Sequence, residues 1–527
     1  MILKILVSDP IAQRGVEIFQ EAGFEVVVKT DYTPEELIAA IPEYDGLIVR
    51  SQTKVTADVI NAATKLKVIG RAGVGVDNVD VAAATKRGII VMNAPDGNTI
   101  STAEHTVAML LALSRNIPQA NASLKAGKWD RKKYTGVEVR GKILGIIGMG
   151  RIGSVVAKIM QAMEMQVWVY DPYLSAEKAA QMGVKVATLE EIMKNADYLT
   201  VHTPLTSETK GMIGEKELAM AKPGLRVINC ARGGIIDEKA LADAIASGKV
   251  AGAAIDVFTK EPPEDRTLIE LENVIATPHL GASTVEAQEN VAIDVAIEMV
   301  KALQGEVFKN AVNLPPVRPE VMAIIKPYLG LAEKIGLFVS QITKGGLSNV
   351  SIEYRGELAS TDISPLTTAV LKGILRPVIG EEVNIVNAPH IAKERGLSIT
   401  ETKNTAIQDY ANLIRVTLKT DKEEHSAAGT LFGKDNIRIV EIDGYLVDAV
   451  PSGYMLFCLH IDQPGIIGKV GTILGYNNIN IAGMQVGRKT AGGKAVMVLN
   501  VDNAIPRKVL TEIAGVQGIQ QAEMVIF

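Results

Sequence analysis

The spacing of apolar and polar positions divides the chain into stretches with different periods. Short β-rich runs at 2–8, 25–29, 46–49, 67–70 and 89–92 alternate with helix-like segments. Strands separated in this way predict parallel β-α-β units, because a parallel connection needs a crossover. Ser101 and Glu104 stand three residues apart at the head of an apolar helix running to Ser114, and read as a capping box. A second α/β series spans 141–285, with strands expected at 143–147, 167–170, 198–202, 226–229, 252–257 and 274–276. Helical pattern resumes across 285–303, although the pattern alone shows only that a helix follows.

Asn313, Pro315, Pro316 and Pro319 interrupt this order and mark a boundary. A helix is expected over 321–343, then a β-rich stretch to about residue 450. The last segment reads as strand 455–461, helix 465–475, strands 479–487 and 495–501, helix 506–514 and strand 519–526. This β-α-β-β-α-β order predicts a ferredoxin-like unit. Ile466, Val470, Ile473 and Leu474 form an apolar stripe that needs a sheet to cover it.

At 527 residues, with 47% hydrophobic and 22% charged positions, the chain suits several soluble globular domains. The 55 Lys+Arg against 60 Asp+Glu give a net charge of −5. No global basic field is available for nucleic acid, while a local pocket for a small anion remains open. No uncharged apolar run is long enough to predict a transmembrane helix. The first apolar run is short and enters a turn, so it reads as a strand rather than a signal peptide. Cys230 and Cys458 are the only cysteines and lie far apart. They exclude a disulfide framework or a zinc site built on cysteine pairs, no metal is expected, and a cytoplasmic location fits.

Gly148, Gly150 and Gly153 follow the run ILGII and open a helical pattern. In that context they predict a dinucleotide loop. The first glycine permits the turn, the second leaves room for pyrophosphate, and the third lets helix and strand approach closely. Asp171 ends the next strand, eighteen residues beyond Gly153. Its carboxylate suits the two ribose hydroxyls of NAD and would repel the 2′-phosphate of NADP. Arg151 either reaches the pyrophosphate or stays a solvated first-turn residue; Ile152 lies beside it in the loop. Thr203 either lines the cofactor cleft or belongs to an ordinary strand-ending turn.

Arg232, Glu261 and His279 follow three separate predicted strands. Ligands collect beyond the carboxyl ends of parallel strands, so the three can face one cleft. Oxidation of a secondary alcohol needs a base, and His279 is the best candidate. Glu261 would orient its ring and favour the imidazolium, while Arg232 offers a planar fork to a substrate carboxylate. Asp256 either approaches the nicotinamide amide or supports Arg232. His202 reads as a strand-packing residue. His105, His390 and His425 show no readable carboxylate arrangement and are assigned structural roles.

The motifs NAPDGNTISTAEHTVAMLLALSRNIPQA, GMGRIG, YDPY, NCARGGIIDEKAL, AIDVF with EPP, and TPHLGAST together resemble the D-2-hydroxyacid dehydrogenase family. The terminal LHIDQPGIIGKVG and NINIAGMQVGR resemble an ACT domain. With the region between them, the whole chain is similar to the long phosphoglycerate-oxidising branch of that family. The resemblance implies an α/β fold with a doubly wound Rossmann-type NAD domain and a discontinuous flavodoxin-like substrate domain. An intervening α+β domain and a ferredoxin-like ACT domain would follow. Its boundaries would fall at 1–98 and 288–315 for the substrate domain, 99–287 for the NAD domain, 316–452 for the intervening domain and 453–527 for the ACT domain.

The same resemblance implies NAD-dependent oxidation of D-3-phosphoglycerate to 3-phosphohydroxypyruvate, the first committed step of L-serine biosynthesis. His279 would be the acid/base, Glu261 its partner, and Arg232 the substrate-binding arginine; Cys230 and Gly281 join the cofactor set. Alternatives are a related reductase of glyoxylate, hydroxypyruvate or 2-oxoglutarate, or an NAD(H)-sensing regulator without turnover. A phosphorylated acid needs a second cationic site, and Arg50 is the first choice, with Ser51, the loop Gly73, Val74 and Gly75, and Asn98 nearby. The basic run at Lys128, Arg131, Lys132 and Lys133 is either solvated or, as the resemblance implies, lies beside a neighbouring subunit's cleft in a homodimer or homotetramer. His460, Asp462 and Asn480 match an L-serine site between two ACT units; the alternative for that unit is oligomerisation alone.

Overall fold

The computed structural model describes residues 2–406 and 409–527, arranged around four sheets. The first contains β1 (Lys4–Val7), β2 (Glu25–Val28), β3 (Gly46–Val49), β4 (Val68–Arg71) and β5 (Ile90–Asn93). All its pairings are parallel, in the order β2-β1-β3-β4-β5. Helices cover both faces, which is why β3 is apolar and buried throughout. One covering element is the Val285–Gln304 helix, which returns from the far side of the second sheet. Its Met299 is fully buried, and glycine makes the approach possible: a Cβ on Gly70 would lie 2.2 Å from Met299 Sδ. The chain then runs along β5, where Val312 N–H donates to Val91 O at 2.7 Å and Asn313 Oδ1 accepts from Val91 N–H at 2.9 Å.

The second sheet comprises β6 (Ile143–Ile147), β7 (Gln166–Tyr170), β8 (Lys185–Val186), β9 (Tyr198–Val201), β10 (Leu225–Asn229), β11 (Val250–Ile255) and β12 (Val274–Ala276). It is parallel throughout, in the order β12-β11-β10-β9-β6-β7-β8. The winding reverses between β6 and β9, the position at which doubly wound sheets form a ligand crevice. The Thr99–Arg115 helix packs on one face. It begins earlier than the sequence suggested. Asn98 is the N-cap and makes no capping hydrogen bond, so the expected capping box at Ser101 and Glu104 does not form. Ser101 is already inside the first turn, and its Oγ lies 2.7 Å from Thr284 Oγ1.

The third sheet comprises β13 (Leu347–Gly356), β14 (Ser398–Asn404), β15 (Asn412–Thr420), β16 (Glu424–Phe432), β17 (Asn436–Ile442) and β18 (Tyr445–Ala449). Its order is β14-β13-β15-β16-β17-β18, antiparallel except between β13 and β14. The expected β-rich stretch also contains the Ser364–Ile379 and Ala388–Glu394 helices. Residues 366–371 of the first are buried on every side, so no polar face gave the pattern a helical period. Asn384, between these helices, donates to Gly88 O at 2.8 Å, and Glu394 pairs with Lys86 at 3.4 Å. Both contacts grip the outer end of the first sheet.

The fourth sheet is β19 (Tyr454–Ile461), β20 (Ile481–Arg488), β21 (Lys494–Val501) and β22 (Ile519–Ile526), antiparallel in the order β20-β21-β19-β22. Alternate residues of β19 enter different cores. Leu456 and Cys458 face Val470, Leu474, Val509 and Ile513 on the unit's own helices. Met455 and Phe457 join Ile335, Phe338 and Val339 of the Pro319–Ile342 helix. The rings of Phe338 and Phe457 meet edge-on at 6.1 Å. The third and fourth sheets therefore share a core. No helix among the described residues is long and apolar enough to cross a membrane.

Met299→Ala should destabilise the first-sheet unit by about 2–5 kcal/mol, the cost of an unfilled core site. Urea unfolding followed by hydrogen exchange in β3 and β4 checks this, with the change expected in those strands first.

Candidate active site

The glycine loop joins β6 to the Arg151–Ala162 helix at the crevice of the second sheet. Each glycine is required for a different spatial reason. Gly148 has φ +91, and a Cβ there would lie 2.7 Å from His202 O. Above Gly150, a Cβ would meet nothing within 4 Å, leaving the helix start open to a ligand. A Cβ on Gly153 would lie 2.2 Å from Gly148 O, so the helix can approach only without one. Asp171 follows β7 and is tied to the loop: Oδ2 accepts from Met149 N–H at 2.7 Å and Oδ1 from Tyr173 N–H at 2.8 Å. Thr203 Oγ1 is buried without a partner beside Gly148. Free amides, an open floor and a fixed carboxylate fit a dinucleotide. Arg151, exposed in the first turn, pairs with Asp96 at 2.5 Å, and Ile152 packs under the helix. His202 is a half-buried residue just past β9 beside Thr200, pulled down to about 4 by desolvation.

The three acid–base candidates all follow strands of this sheet. His279 Nδ1 lies 2.8 Å from Glu261 Oε2, and Glu261 Oε1 accepts from Phe258 N–H at 3.1 Å. Burial pushes the Glu261 carboxyl up, but the donors from His279 and Phe258 outweigh it and hold the group below its ordinary range. An ionised Glu261 accepts the Nδ1 proton, leaving Nε2 as the basic nitrogen. The His279 side chain is 45% exposed, so a ligand can reach it. Its backbone has φ +56, a region that residues with a side chain seldom occupy. Asp256 holds it there. His279 N–H donates to Asp256 O at 2.9 Å, Leu280 N–H to Oδ1 at 2.8 Å, and Gly281 N–H to Oδ2 at 2.8 Å. The Asp256 carboxylate serves this turn, and its hydrogen bonds and ion pairs among the described residues go to Thr277, Leu280, Gly281 and His105 rather than to Arg232. Cys230 is buried, its thiol pushed up to about 12 by desolvation and then by Asp256.

Across the cleft, the ends of the first sheet supply positive charge. The Arg71 guanidinium ends β4, where a Cβ on Gly73 would lie 1.5 Å from its Nη1. A Cβ on Gly75 would lie 2.2 Å from Arg232 Nη2. These glycines therefore make space for two guanidinium groups, and the loop expected to offer amides also seats arginines. Burial, then Arg232 and Arg50, pulls Arg71 down to about 10, still charged at neutral pH. Arg71 Nε is buried without a partner. Arg232 is partly offset by Asp77 at 3.4 Å. Arg50 is fixed through its backbone: N–H donates to Asp9 Oδ2 at 2.6 Å, and O accepts from Asn78 at 2.8 Å. Ser51 is exposed next to it, Asn93 donates to Val74 O at 2.6 Å, and Asn98 Oδ1 is buried without a partner. The sequence places Arg71 at a strand end just as it does Arg50, and ranks Arg50 first; the structure buries the Arg71 guanidinium between Arg50 and Arg232.

Three family descriptions match in succession: the NAD binding domain of D-isomer specific 2-hydroxyacid dehydrogenases over residues 107–281, the D-3-phosphoglycerate dehydrogenase intervening domain over 324–443, and the ACT domain over 454–517. The D-3-phosphoglycerate dehydrogenase of Archaeoglobus fulgidus is 48% identical over 526 residues, covering 99% of this chain and 100% of the relative. The chain belongs to the D-3-phosphoglycerate dehydrogenase family. The Bacillus subtilis member is 47% identical over 522 residues, covering 99% of both chains. Among solved structures, a Thermus thermophilus protein superposes with a TM-score of 0.55 at 34% identity, over 59% of this chain and 100% of that one. The NAD-bound 3-phosphoglycerate dehydrogenase of Entamoeba histolytica gives 0.50 at 32% identity, over 59% and 99%.

In this D-3-phosphoglycerate dehydrogenase family chain, the three residues expected to hold L-serine do not come together within a single copy. His460 and Asp462 lie at the end of β19, where His460 pairs in register with Ala495, and Ala495 with Arg488. Asn480 precedes β20 at the other end of the sheet, where Ile481 pairs with Val501 and Val501 with Tyr454. Asp462 binds Arg488 at 2.7 Å, Asn480 donates to Asp502 at 2.8 Å, and His460 Nε2 is buried without a partner. The basic run is exposed, with Lys133 paired to Glu272 at 2.5 Å.

Three histidines read as lacking carboxylates in fact face them: His105 meets Asp256 at 3.2 Å, His390 meets Glu394 at 3.1 Å, and His425 meets Asp443 at 2.7 Å. Desolvation works against charge on His425, but Asp443 and Glu423 outweigh it and raise its pKa.

Gly153→Ala should weaken NAD binding at least about tenfold, because the backbone at Gly148 must shift to admit the new carbon. Fluorescence titration with NADH measures the change; unaltered affinity would show that the contact relaxes without disturbing the loop.

Proposed function

We propose that the chain oxidises D-3-phosphoglycerate to 3-phosphohydroxypyruvate with NAD, the first committed step of L-serine biosynthesis. The observation that carries this reading is the His279–Glu261 couple on one wall of a cleft whose other wall gathers Arg50, Arg71 and Arg232. Such like charges repel one another when no anion is present, and a ligand with both carboxylate and phosphate relieves that repulsion. The Gly148–Gly153 loop would hold NAD, which when bound would supply the hydride acceptor for the alcohol carbon. Arg232 binds the carboxylate and orients the alcohol, while Arg50 and Arg71 take the phosphate. His279 Nε2 removes the hydroxyl proton as the carbonyl forms. Glu261 holds Nδ1 and stabilises the imidazolium until the proton leaves.

The ACT unit supports regulation by a small amino acid. We infer that L-serine sits between two copies, since His460 and Asp462 of one would have to meet Asn480 of another to form a single site. This arrangement requires at least a homodimer. Arg131 or Lys132 would then lie beside a neighbouring cleft as a further attraction for the phosphate.

His279→Ala should lower kcat by about a hundred- to ten-thousandfold while leaving NADH affinity nearly unchanged, the result expected for loss of an acid–base group. Equal turnover would remove His279 from the mechanism. Arg71→Ala should reduce kcat/KM for phosphoglycerate by about a hundredfold and have a much smaller effect on unphosphorylated 2-hydroxy acids. A uniform loss across an acid panel, run with and without L-serine, would count against phosphate recognition; turnover confined to other acids would favour a related dehydrogenase.

A further inference from the structure

Behind the exposed His279–Glu261 couple lies a second histidine–carboxylate couple, unused by the chemistry above. His105 projects from the Thr99–Arg115 helix, with Nε2 at 3.2 Å from Asp256 Oδ1 and 3.3 Å from Thr277 Oγ1. Thr277 donates its hydroxyl proton to the same Asp256 oxygen at 2.5 Å. Both neighbours of Nε2 therefore act as acceptors toward it, which places the His105 proton on Nε2. Asp256 is fully buried, and desolvation alone would raise its pKa. Donors from His105, Thr277 and the Leu280 amide overcome that effect and keep it below the ordinary value. Cys230 also faces the couple, its Sγ within 4.8 Å of the ligand atoms of His105 and Asp256. Its raised pKa leaves the thiol neutral, so it adds no competing charge.

The buried carboxylate is the anchor of the catalytic turn. Its two oxygens take the amides of Leu280 and Gly281, while the Asp256 carbonyl takes that of His279. Rotating the carboxylate would release two of these three amides. The His279 ring would follow its backbone out of the positive-φ conformation. Thr102 secures the same segment from the helix side, donating to Gly281 O at 3.2 Å. The helix thus contacts the turn directly through Thr102 and reaches it through Asp256 by way of His105.

We propose that His105 is a positioning residue for proton transfer: its Nε2–H fixes the Asp256 carboxylate, and Asp256 fixes the turn that presents His279. This deepens the dehydrogenase reading and rests on His279 being the acid/base group. His105 itself touches no reacting atom. Its role lies in keeping His279 at the distance and angle that proton transfer requires, where small displacements are costly.

The test compares His105→Gln, His105→Asn and His105→Phe in the intact chain. The Gln amide can place an N–H where Nε2–H stands, the shorter Asn amide cannot reach it, and Phe fills the space without a donor. His105→Phe and His105→Asn should each lower kcat by about ten- to a hundredfold. KM and the NADH dissociation constant should stay within about twofold of wild type. His105→Gln should recover most of the rate. Wild-type kcat in the Phe or Asn variant, an equal loss in the Gln variant, or a loss confined to NADH binding would overturn the proposal. If the Phe variant does not fold, the Asn and Gln pair decides. Wild-type turnover of phosphoglycerate together with normal turnover by the Asn variant overturns only the role of His105. If the wild type oxidises a different 2-hydroxy acid, the substrate reading fails and the same comparison is made with that acid.

Discussion

The convergence of three successive amides, from His279 to Gly281, on one buried aspartate is the constraint around which the site is organised. Asp256 lies just beyond β11, Thr277 just beyond β12, and His105 on the Thr99–Arg115 helix that covers one face of the sheet. A charge buried among these groups would be costly without its donors. Satisfied, it makes the end of the sheet stiff where the chain must adopt an unfavourable backbone conformation. The exposed imidazole is therefore supported from below, while Glu261 sets its protonation from the side.

The opposite wall works by a different principle. There, repulsion is concentrated: Arg50, Arg71 and Arg232 raise one another's electrostatic cost, and Gly73 and Gly75 allow two of the guanidinium groups to come close. The wall is thus organised for an anion with more than one negative centre. Arg232 arises from the second sheet but lies against the loop of the first, so the positive charge gathers where the two sheets meet. The candidate cofactor cradle is more local, drawn from the turn after β6 with Asp171 beyond β7 and Thr203 beyond β9.

Much of this arrangement was legible because its requirements are local. Gly148, Gly150 and Gly153 carry a turn, an opening and a close approach at fixed spacing, with strand before and helix after. Most strands of the first two sheets stood out as apolar runs bounded by turns, whereas β8, two exposed residues at the sheet edge, gave no such run. His105 and Asp256 are 151 residues apart, and nothing in the spacing of either residue points to the other; only the packing of the helix on the sheet joins them. The pairing of His390 with Glu394 went unread for a different reason: its four-residue spacing has meaning only on a helix, and that stretch was expected to be β-rich. The Ser101–Glu104 pair imitated a cap because the same residue types stand at the required interval, but Thr99 and Ile100 had already entered the helix. In the ACT unit, the polar positions were matched one by one through the family resemblance, yet their separation depends on strand register. Antiparallel pairing sends Asn480 to the far end from His460.

The common interior of the third and fourth sheets has a mechanical consequence. Phe457 is wedged against Phe338, so the terminal sheet cannot be lifted away without opening the hydrophobic interior beneath it. The two C-terminal units act as a single lever, and its point of purchase is the outer end of the first sheet, through Asn384 and Glu394. Strain passed through those two contacts would enter the layer bearing Arg50 and Arg71.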